Sequence, residues 1–330
     1  MSILQVEDLQ AHYITRTYGR INRVRAVDGI SLIIEKNEIF GIAGESGCGK
    51  TTLLKTLCGL ARPPLQVIGG TVDFHFQDRQ LSLMGLQKES QRREVRGAYI
   101  SYIPQGSMSV LNPVRRIKKS FEDFVYAHRS FDSQAQFDDF VVRHLEAVGL
   151  DSGILQSYPH QLSGGMRQRV TIALSTILRP ELILADEPTT ALDVVMQRGV
   201  IQLLKKIKEE QENTIVMITH DMAIHANICD RLAIMYAGQI VEIGTTHDIF
   251  TDARHPYTQF LIGSLPRIGD KSYRPSAPGS PPSLIDPPPG CRFHPRCPHF
   301  TGECQQELPR LFEVKPGHLV ACFRGRGYGQ

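Results

Sequence analysis

Residues 44–51 read GESGCGKT, between an apolar run that ends in glycine (EIFGIAG) and a segment of helical character that begins KTTLLKTLCGL. This eight-residue stretch matches the phosphate-binding P-loop pattern G-x-x-x-x-G-K-[ST] and limits the fold more than anything else in the chain. Gly44, Gly47 and Gly49 let backbone N–H groups turn inward with no side chain intervening, which makes a cradle for phosphate oxygens. A helix opening directly behind the loop points the positive end of its dipole at the same oxygens. Lys50 is placed to neutralise β- and γ-phosphates, and the Thr51 hydroxyl to ligate Mg²⁺. Strand, Gly-rich loop and helix in this order open a nucleotide-binding α/β unit.

The remaining pattern agrees with that opening. LILAD, IQLLKKIKEE, TIVMITH and RLAIMYAG alternate strand and helix signals, which implies a parallel sheet covered by helices. Near the start, ILQVEDL and ISLIIE read as strands separated by a polar segment, HYITRTYGRINRV. Phe137, Phe140, Val141, Leu145 and Val148 recur at helical spacing, so the middle of the chain is expected to be helical. Seven of the fifteen residues from Pro275 to Pro289 are proline, which predicts a stiff extended linker without backbone donors for sheet or helix. No internal repeat is evident.

Composition narrows the class. With 41% apolar and 22% charged residues, the 330-residue chain reads as a soluble globular protein. No run approaches the ~18 apolar residues of a spanning helix. MSILQVEDLQ lacks the basic start and apolar stretch of a signal peptide, which favours the cytosol. The formal charge of +3 is small for this size and gives little support to nucleic-acid binding. Residues 291–330 carry a surplus of three positive charges, as much as the whole chain.

A phosphate cradle that hydrolyses nucleotide also needs a metal-holding acid and a group to handle water. LILADEP supplies both: Asp186 ends an apolar strand, where it would hold Mg²⁺, and Glu187 follows, where it could polarise the attacking water. His220 and Gln105 follow two further apolar runs and are candidates for reading the γ-phosphate. LSGGMRQR then presents Ser163, Gly164 and Gly165 ahead of another helix, a second anion site at a helix N-terminus. One chain has no need of two phosphate cradles so far apart. Two copies arranged head to tail would, each closing the other's nucleotide.

Taken together, GESGCGKT, Gln105, LSGGMRQR, LILADE, TALD (Thr190 to Asp193) and His220 resemble, in order and spacing over roughly residues 1–250, the nucleotide-binding subunit of ABC transporters. The resemblance implies an α/β P-loop NTPase fold: a RecA-like parallel-sheet core, an antiparallel β subdomain and a helical subdomain, with a small Cys-rich C-terminal extension. It implies that Gly44, Glu45, Ser46, Gly47, Cys48, Gly49, Lys50, Thr51 and Thr52 hold ATP, and that Thr51, Gln105 and Asp186 surround Mg²⁺. Glu187 would be the catalytic base, with Gln105 and His220 reading the γ-phosphate. Ser163, Gly164 and Gly165 would serve the partner's nucleotide, and Asp193 would join the two sites. For the aromatic that stacks on adenine, Tyr13 and Tyr18 are both candidates. AVDGISL, SVLNPV, SGGMRQRV, HPYTQFLIGSLP and GCRFHPRCPHF…GHLVAC narrow the resemblance to the oligopeptide, dipeptide and nickel importers. Met166 of SGGMRQR is typical there of the first of two different ATPase subunits. The expected assembly is thus a heterodimer of homologous ATPases on two membrane permeases, served by an extracytoplasmic solute-binding protein. The chain would sit peripherally on the cytoplasmic face of the membrane. Residues 106–165 would touch the permease. Di- or oligopeptide is the expected cargo, with nickel and oligosaccharide as alternatives. The rival classes are a non-transport ABC ATPase, which lacks its usual second cassette or coiled-coil insertion here, and an iron–sulfur regulator.

The expected division is an ATPase domain over 1–265, a Pro-rich linker over 266–290 and a Cys-rich extension over 291–330. Cysteines 48, 58 and 229 fall in the ATPase body and read as packing residues. Cys291, Cys297, Cys304 and Cys322 form the remaining set, and a cytosolic setting disfavours disulfides among them. Their loose spacing departs from the tight pairs common at structural zinc, while charge fits Cys₄–Zn²⁺ and Cys₄–[4Fe–4S] equally. The family resemblance selects the [4Fe–4S] cluster, with Zn²⁺ as the alternative. So small an extension is expected to draw most of its folding energy from the metal.

Overall fold

The computed structural model describes residues 1–86, 88–106, 110–265 and 277–327. Residues 107–109, at the start of the expected helical segment, and 266–276 of the expected linker lie outside them.

The chain opens with a long hairpin, β1 (Ser2–Thr17) and β2 (Arg20–Glu35). Its base follows the sequence pattern: Ile30, Leu32 and Ile34 are buried, while Ser31 and Ile33 between them face solvent. The segment HYITRTYGRINRV, expected to separate two short strands, instead continues both of them. Pairing runs out to Thr17 opposite Arg20. Most side chains of residues 20–25 are exposed, so this stretch is polar in sequence, yet residues 20–24 are paired with 13–17. With β4 (Leu65–His75) and β5 (Gln80–Ser82), the hairpin forms an antiparallel sheet in the order β2-β1-β4-β5.

The second sheet carries the fold. Its parallel part consists of β3 (Ile39–Ala43), β6 (Ile100–Ile103), β7 (Leu182–Asp186), β8 (Thr214–Ile218) and β9 (Arg231–Tyr236). Every residue of β3, β7 and β8 is buried, as a sheet covered on both faces requires. Helix α1 (Lys50–Leu57) follows β3, and α2 (Glu89–Val95) precedes β6. The helical segment contains α3 (Ile117–Tyr126), α4 (Gln134–Ala147) and α5 (Gly164–Thr176). Ile117, Phe121 and Val125 of α3 and Phe137, Val141 and Leu145 of α4 are buried at four-residue spacing, one stripe on each helix. Behind β7 come α6 (Val194–Gln211) and, after β8, α7 (Met222–Ile228). Strand β10 (Gln239–Thr245) returns antiparallel beside β9, followed by α8 (Thr246–Thr251) and α9 (Pro256–Gly263).

The C-terminal residues are built onto the main sheet. Short helix α10 (Glu303–Gln306) is followed by β11 (Phe312–Lys315) and β12 (His318–Val320). These two strands join the main sheet, giving the order β11-β12-β10-β9-β3-β8-β7-β6. Residues 277–290 form neither strand nor helix, and the Leu284 carbonyl accepts a hydrogen bond from Arg25 N–H on β2. Phe293 is 1% exposed and packs against the rings of Tyr236, Tyr257, His255 and Phe260. Beneath β12, Glu242 and His318 are both fully buried and share a 2.7 Å hydrogen bond. Glu242 also accepts backbone N–H groups from Arg254 and His255, which satisfies a carboxylate in the interior. Docking on the cassette core is thus a source of stability for the extension beside the metal expected from its sequence. Phe293→Ala is expected to lower the unfolding free energy of the whole chain by about 3–5 kcal/mol, measured by urea denaturation. A separate low-stability transition with an unchanged main one would show that the segment folds independently.

Candidate functional site

The candidate residues gather at the carboxyl ends of the parallel strands, where open α/β sheets bind ligands. Between β3 and α1 the loop takes backbone conformations open only to glycine. Gly44 and Gly49 have φ of 152° and 112°. Lys50, 8% exposed, folds back so that Nζ donates to the carbonyls of Gly44 at 2.8 Å and Glu45 at 2.9 Å. A phosphate arriving in the loop would replace these carbonyls as the acceptor of the ammonium. Cys48 is buried, and burial pushes its thiol pKa up, as fits a packing residue. Ser46 and Gly47 form the turn of the loop, and Thr52 lies in the first turn of α1.

Strand β7 brings its acids to this loop. Thr51 Oγ1 donates to Asp186 Oδ1 at 3.0 Å, which puts two of the three expected Mg²⁺ groups side by side; the third, Gln105, bonds Glu187 instead. From the neighbouring β6, the Tyr102 hydroxyl donates to the other oxygen, Oδ2, at 2.9 Å. Burial raises the Asp186 pKa above its ordinary value, against the opposing effect of the Tyr102 and Thr51 hydrogen bonds. Tyr102 therefore fixes the carboxylate's orientation. It had no role in the sequence reading, because the register of Tyr102 opposite Leu184 is a property of strand pairing.

Glu187 has a left-handed backbone, φ 49°, and one of its oxygens is heavily shared. Gln105 Nε2 donates to Glu187 Oε2 at 3.1 Å, Thr190 Oγ1 donates to it at 2.7 Å, and His220 Nδ1 lies 3.5 Å away. The loops after β6, β7 and β8 thus deliver all three expected catalytic residues to one oxygen. Thr190 was read only as the start of TALD; nothing in the sequence marks it as a partner of Glu187.

Tyr13 and Tyr18 separate clearly. The Tyr13 hydroxyl is 3.2 Å from Thr52 Oγ1, beside the loop, whereas Tyr18 sits at the tip of the hairpin and is fully exposed. Ser163, Gly164 and Gly165 open α5, with Ser163 Oγ accepting from Met166 N–H as its N-cap. Asp193 caps α6 in the same way. The two helix starts adjoin, since a Cβ on Gly165 would lie 2.7 Å from Met196 Sδ. Among the described residues, no hydrogen bond or ion pair joins Ser163–Gly165 or Asp193 to the group around Lys50.

Cys291, Cys297, Cys304 and Cys322 line one cavity of about 170 Å³ together with His294 and His299. None is in a disulfide. Burial pushes the Cys291 thiol up to about 12 and raises Cys297 and Cys322 as well. Among the described residues, no group of three ligand-type side chains is arranged to hold a single ion. No helix among the described residues is long and apolar enough to cross a membrane.

Comparisons with known proteins agree with this geometry. The ABC transporter family matches residues 27–190, and the C-terminal region of oligopeptide/dipeptide transporters matches residues 241–304, which include three of the four tail cysteines. A dipeptide transport ATP-binding protein of Caldanaerobacter subterraneus is 38% identical over 97% of this chain and 96% of its own. The dipeptide and oligopeptide transport ATP-binding proteins of Escherichia coli are 38% and 37% identical, each over 98% of this chain and over 96% and 93% of their own lengths. Among solved structures, a dimeric bacterial ABC transporter cassette aligns over 74% of this chain and 99% of its own, with 25% identity and a TM-score of 0.62. A likeness of this kind over nearly the full length has one reading: the chain belongs to the ABC transporter family, as an ATP-hydrolysing subunit of its oligopeptide/dipeptide branch.

Proposed function

We propose that the chain binds ATP with Mg²⁺ across Gly44–Thr52, and that Glu187 acts as general base for hydrolysis. The observation that carries this reading is the convergence of Gln105, Thr190 and His220 on Glu187 Oε2, beside Thr51–Asp186 and Lys50. Lys50 neutralises the β- and γ-phosphates, Thr51, Asp186 and Gln105 surround the metal, and His220 reads the γ-phosphate. Tyr13 stacks on adenine; its contact with Thr52 supports it over Tyr18. The nucleotide is closed by Ser163, Gly164 and Gly165 of a second cassette, and Asp193 links the two sites. Exposed Val194 and Val195, immediately after Asp193, support a partner on this face.

That partner is a second, homologous ATPase, and the pair drives two permeases served by an extracytoplasmic binding protein. The chain lies on the cytoplasmic face of the membrane. A cavity of about 600 Å³ between β6, α3 and α5, lined by Tyr102, Val110, Arg115, Phe124 and Leu174, is the surface we assign to the permease. Closing the ATP sandwich switches the permease between its two facing states, and hydrolysis resets it. Di- or oligopeptide is the cargo, supported by the names of the relatives. The chain divides into an ATPase domain (1–265), a Pro-rich connection (266–290) and a Cys-rich extension (291–330).

For the extension, we assign Cys291, Cys297, Cys304 and Cys322 to a [4Fe–4S] cluster. Four thiols facing one cavity support it. Thiols that surround a cavity without meeting at one point suit a cluster, whose iron corners are spread, better than a single Zn²⁺ ion. Bound there, the cluster would cross-link the loop, α10 and the segment after β12.

Two measurements test these assignments. Glu187→Gln is expected to cut ATP turnover by about 10²-fold or more while ATP still binds; turnover near the wild-type rate would remove Glu187 as base. Protein purified without oxygen is expected to be brown with about four iron atoms per chain, and Cys297→Ser to lose both. A colourless, iron-free protein would overturn the cluster, and stoichiometric zinc would select the alternative.

A further inference from the structure

Arg292 and Arg296 lie within GCRFHPRC, far in sequence from the nucleotide loop, yet both are nearly buried against its surroundings. Arg296, 7% exposed, meets Glu45 of the loop in a two-bond fork: Nη1 to Oε2 at 2.9 Å and Nη2 to Oε1 at 3.1 Å. The Pro278 carbonyl at 2.7 Å, the Ala277 carbonyl at 3.3 Å and the Tyr236 hydroxyl at 3.2 Å hold the guanidinium in that orientation. Every polar part of Glu45 is engaged. Its N–H donates to the Tyr257 hydroxyl at 2.8 Å and its carbonyl accepts from Lys50, while its side chain belongs to Arg296. On the other flank, Arg292 pairs with Asp28 and with the Ala237 carbonyl, and Asp28 bonds His12, the residue before Tyr13. Phe293, between the two arginines, is locked into the core.

A glutamate in a loop built to receive phosphate is an electrostatic liability. Glu45 is 29% exposed on its side chain, and its negative charge opposes the incoming anion unless it is cancelled. A planar guanidinium making two parallel bonds cancels it and fixes its direction in one step. We propose that Arg296 is a positioning residue for nucleotide binding: it neutralises and orients Glu45, so that the affinity for ATP depends on the C-terminal segment being seated. The inference rests on residues 44–52 being the ATP site.

A double-substitution cycle on the 330-residue chain tests it, with a fluorescent ATP analogue for Kd and steady-state hydrolysis for KM and kcat. Arg296→Ala is expected to raise Kd and KM about fivefold or more, leaving kcat at saturating ATP within about twofold. Arg296→Lys, which keeps the charge without the fork, recovers part of the loss. In a Glu45→Gln background, Arg296→Ala is expected to change Kd by less than about twofold, because no charge remains to cancel. An unchanged Kd in a folded Arg296→Ala overturns the proposal, as does an equal loss in both backgrounds, which would mark the arginine as purely structural. Should Arg296→Ala not fold, Arg296→Lys carries the same comparison between the two backgrounds. If the wild-type chain itself does not bind ATP, the site assignment fails first and takes the proposal with it.

Discussion

A Cβ atom at Gly49 would lie 1.9 Å from the Ala26 carbonyl oxygen, and one at Gly44 would lie 2.1 Å from that of Met235. The phosphate loop is thus pressed between β2 of the antiparallel sheet and β9 of the parallel one. Neither neighbour is a side chain that can swing aside; both are backbone. The contact makes the two sheets one unit, and much else follows from it. The loop's shape is set before nucleotide arrives, so binding costs little reordering. Tyr13 on β1 comes within reach of Thr52 only because the hairpin is held against the loop.

The second determinant is the row of strand ends. Loops from β6, β7 and β8 converge because their strands are neighbours and parallel, so residues more than 100 apart in sequence meet at Glu187. Asp186, one residue earlier and fully buried, keeps its two oxygens for Thr51 and Tyr102. Adjacent acids thereby receive different surroundings: one is interior, the other is at the rim with 18% of its side chain exposed. The strand ends at Asp186, and the left-handed turn at Glu187 carries the second carboxylate out of the strand's course.

How legible was this in the sequence? Local placement was readable: GESGCGKT, LILADE and LSGGMRQR are runs of consecutive residues, and the structure puts each at the expected strand or helix end. Pairing was not readable. HYITRTYGRINRV looks like a loop because most of its side chains meet water, yet residues 13–17 pair with 20–24 on either side of the turn. Tyr102 and Thr190 depend on register and on a turn, neither of which leaves a mark at the residue itself. The partners of the C-terminal arginines leave no mark nearby either: the carboxylates that pair with Arg292 and Arg296 lie more than 250 residues away. The cysteines themselves were found together, around one cavity but not around one point.

The edge of the main sheet beside β10 is supplied by residues about 75 positions further along the chain. Strand β10 pairs with β12 through Glu242 opposite Val320, and the buried Glu242 carboxylate receives its His318 hydrogen bond from that same strand. During synthesis, at about 5–20 residues per second, β10 leaves the ribosome several seconds before its partner exists. For that interval it is an open edge with a half-satisfied acid behind it, which other chains can pair with and proteases can recognise. Without residues 312–320 β10 would stay in that condition, because its outer edge is covered only when β12 pairs with it.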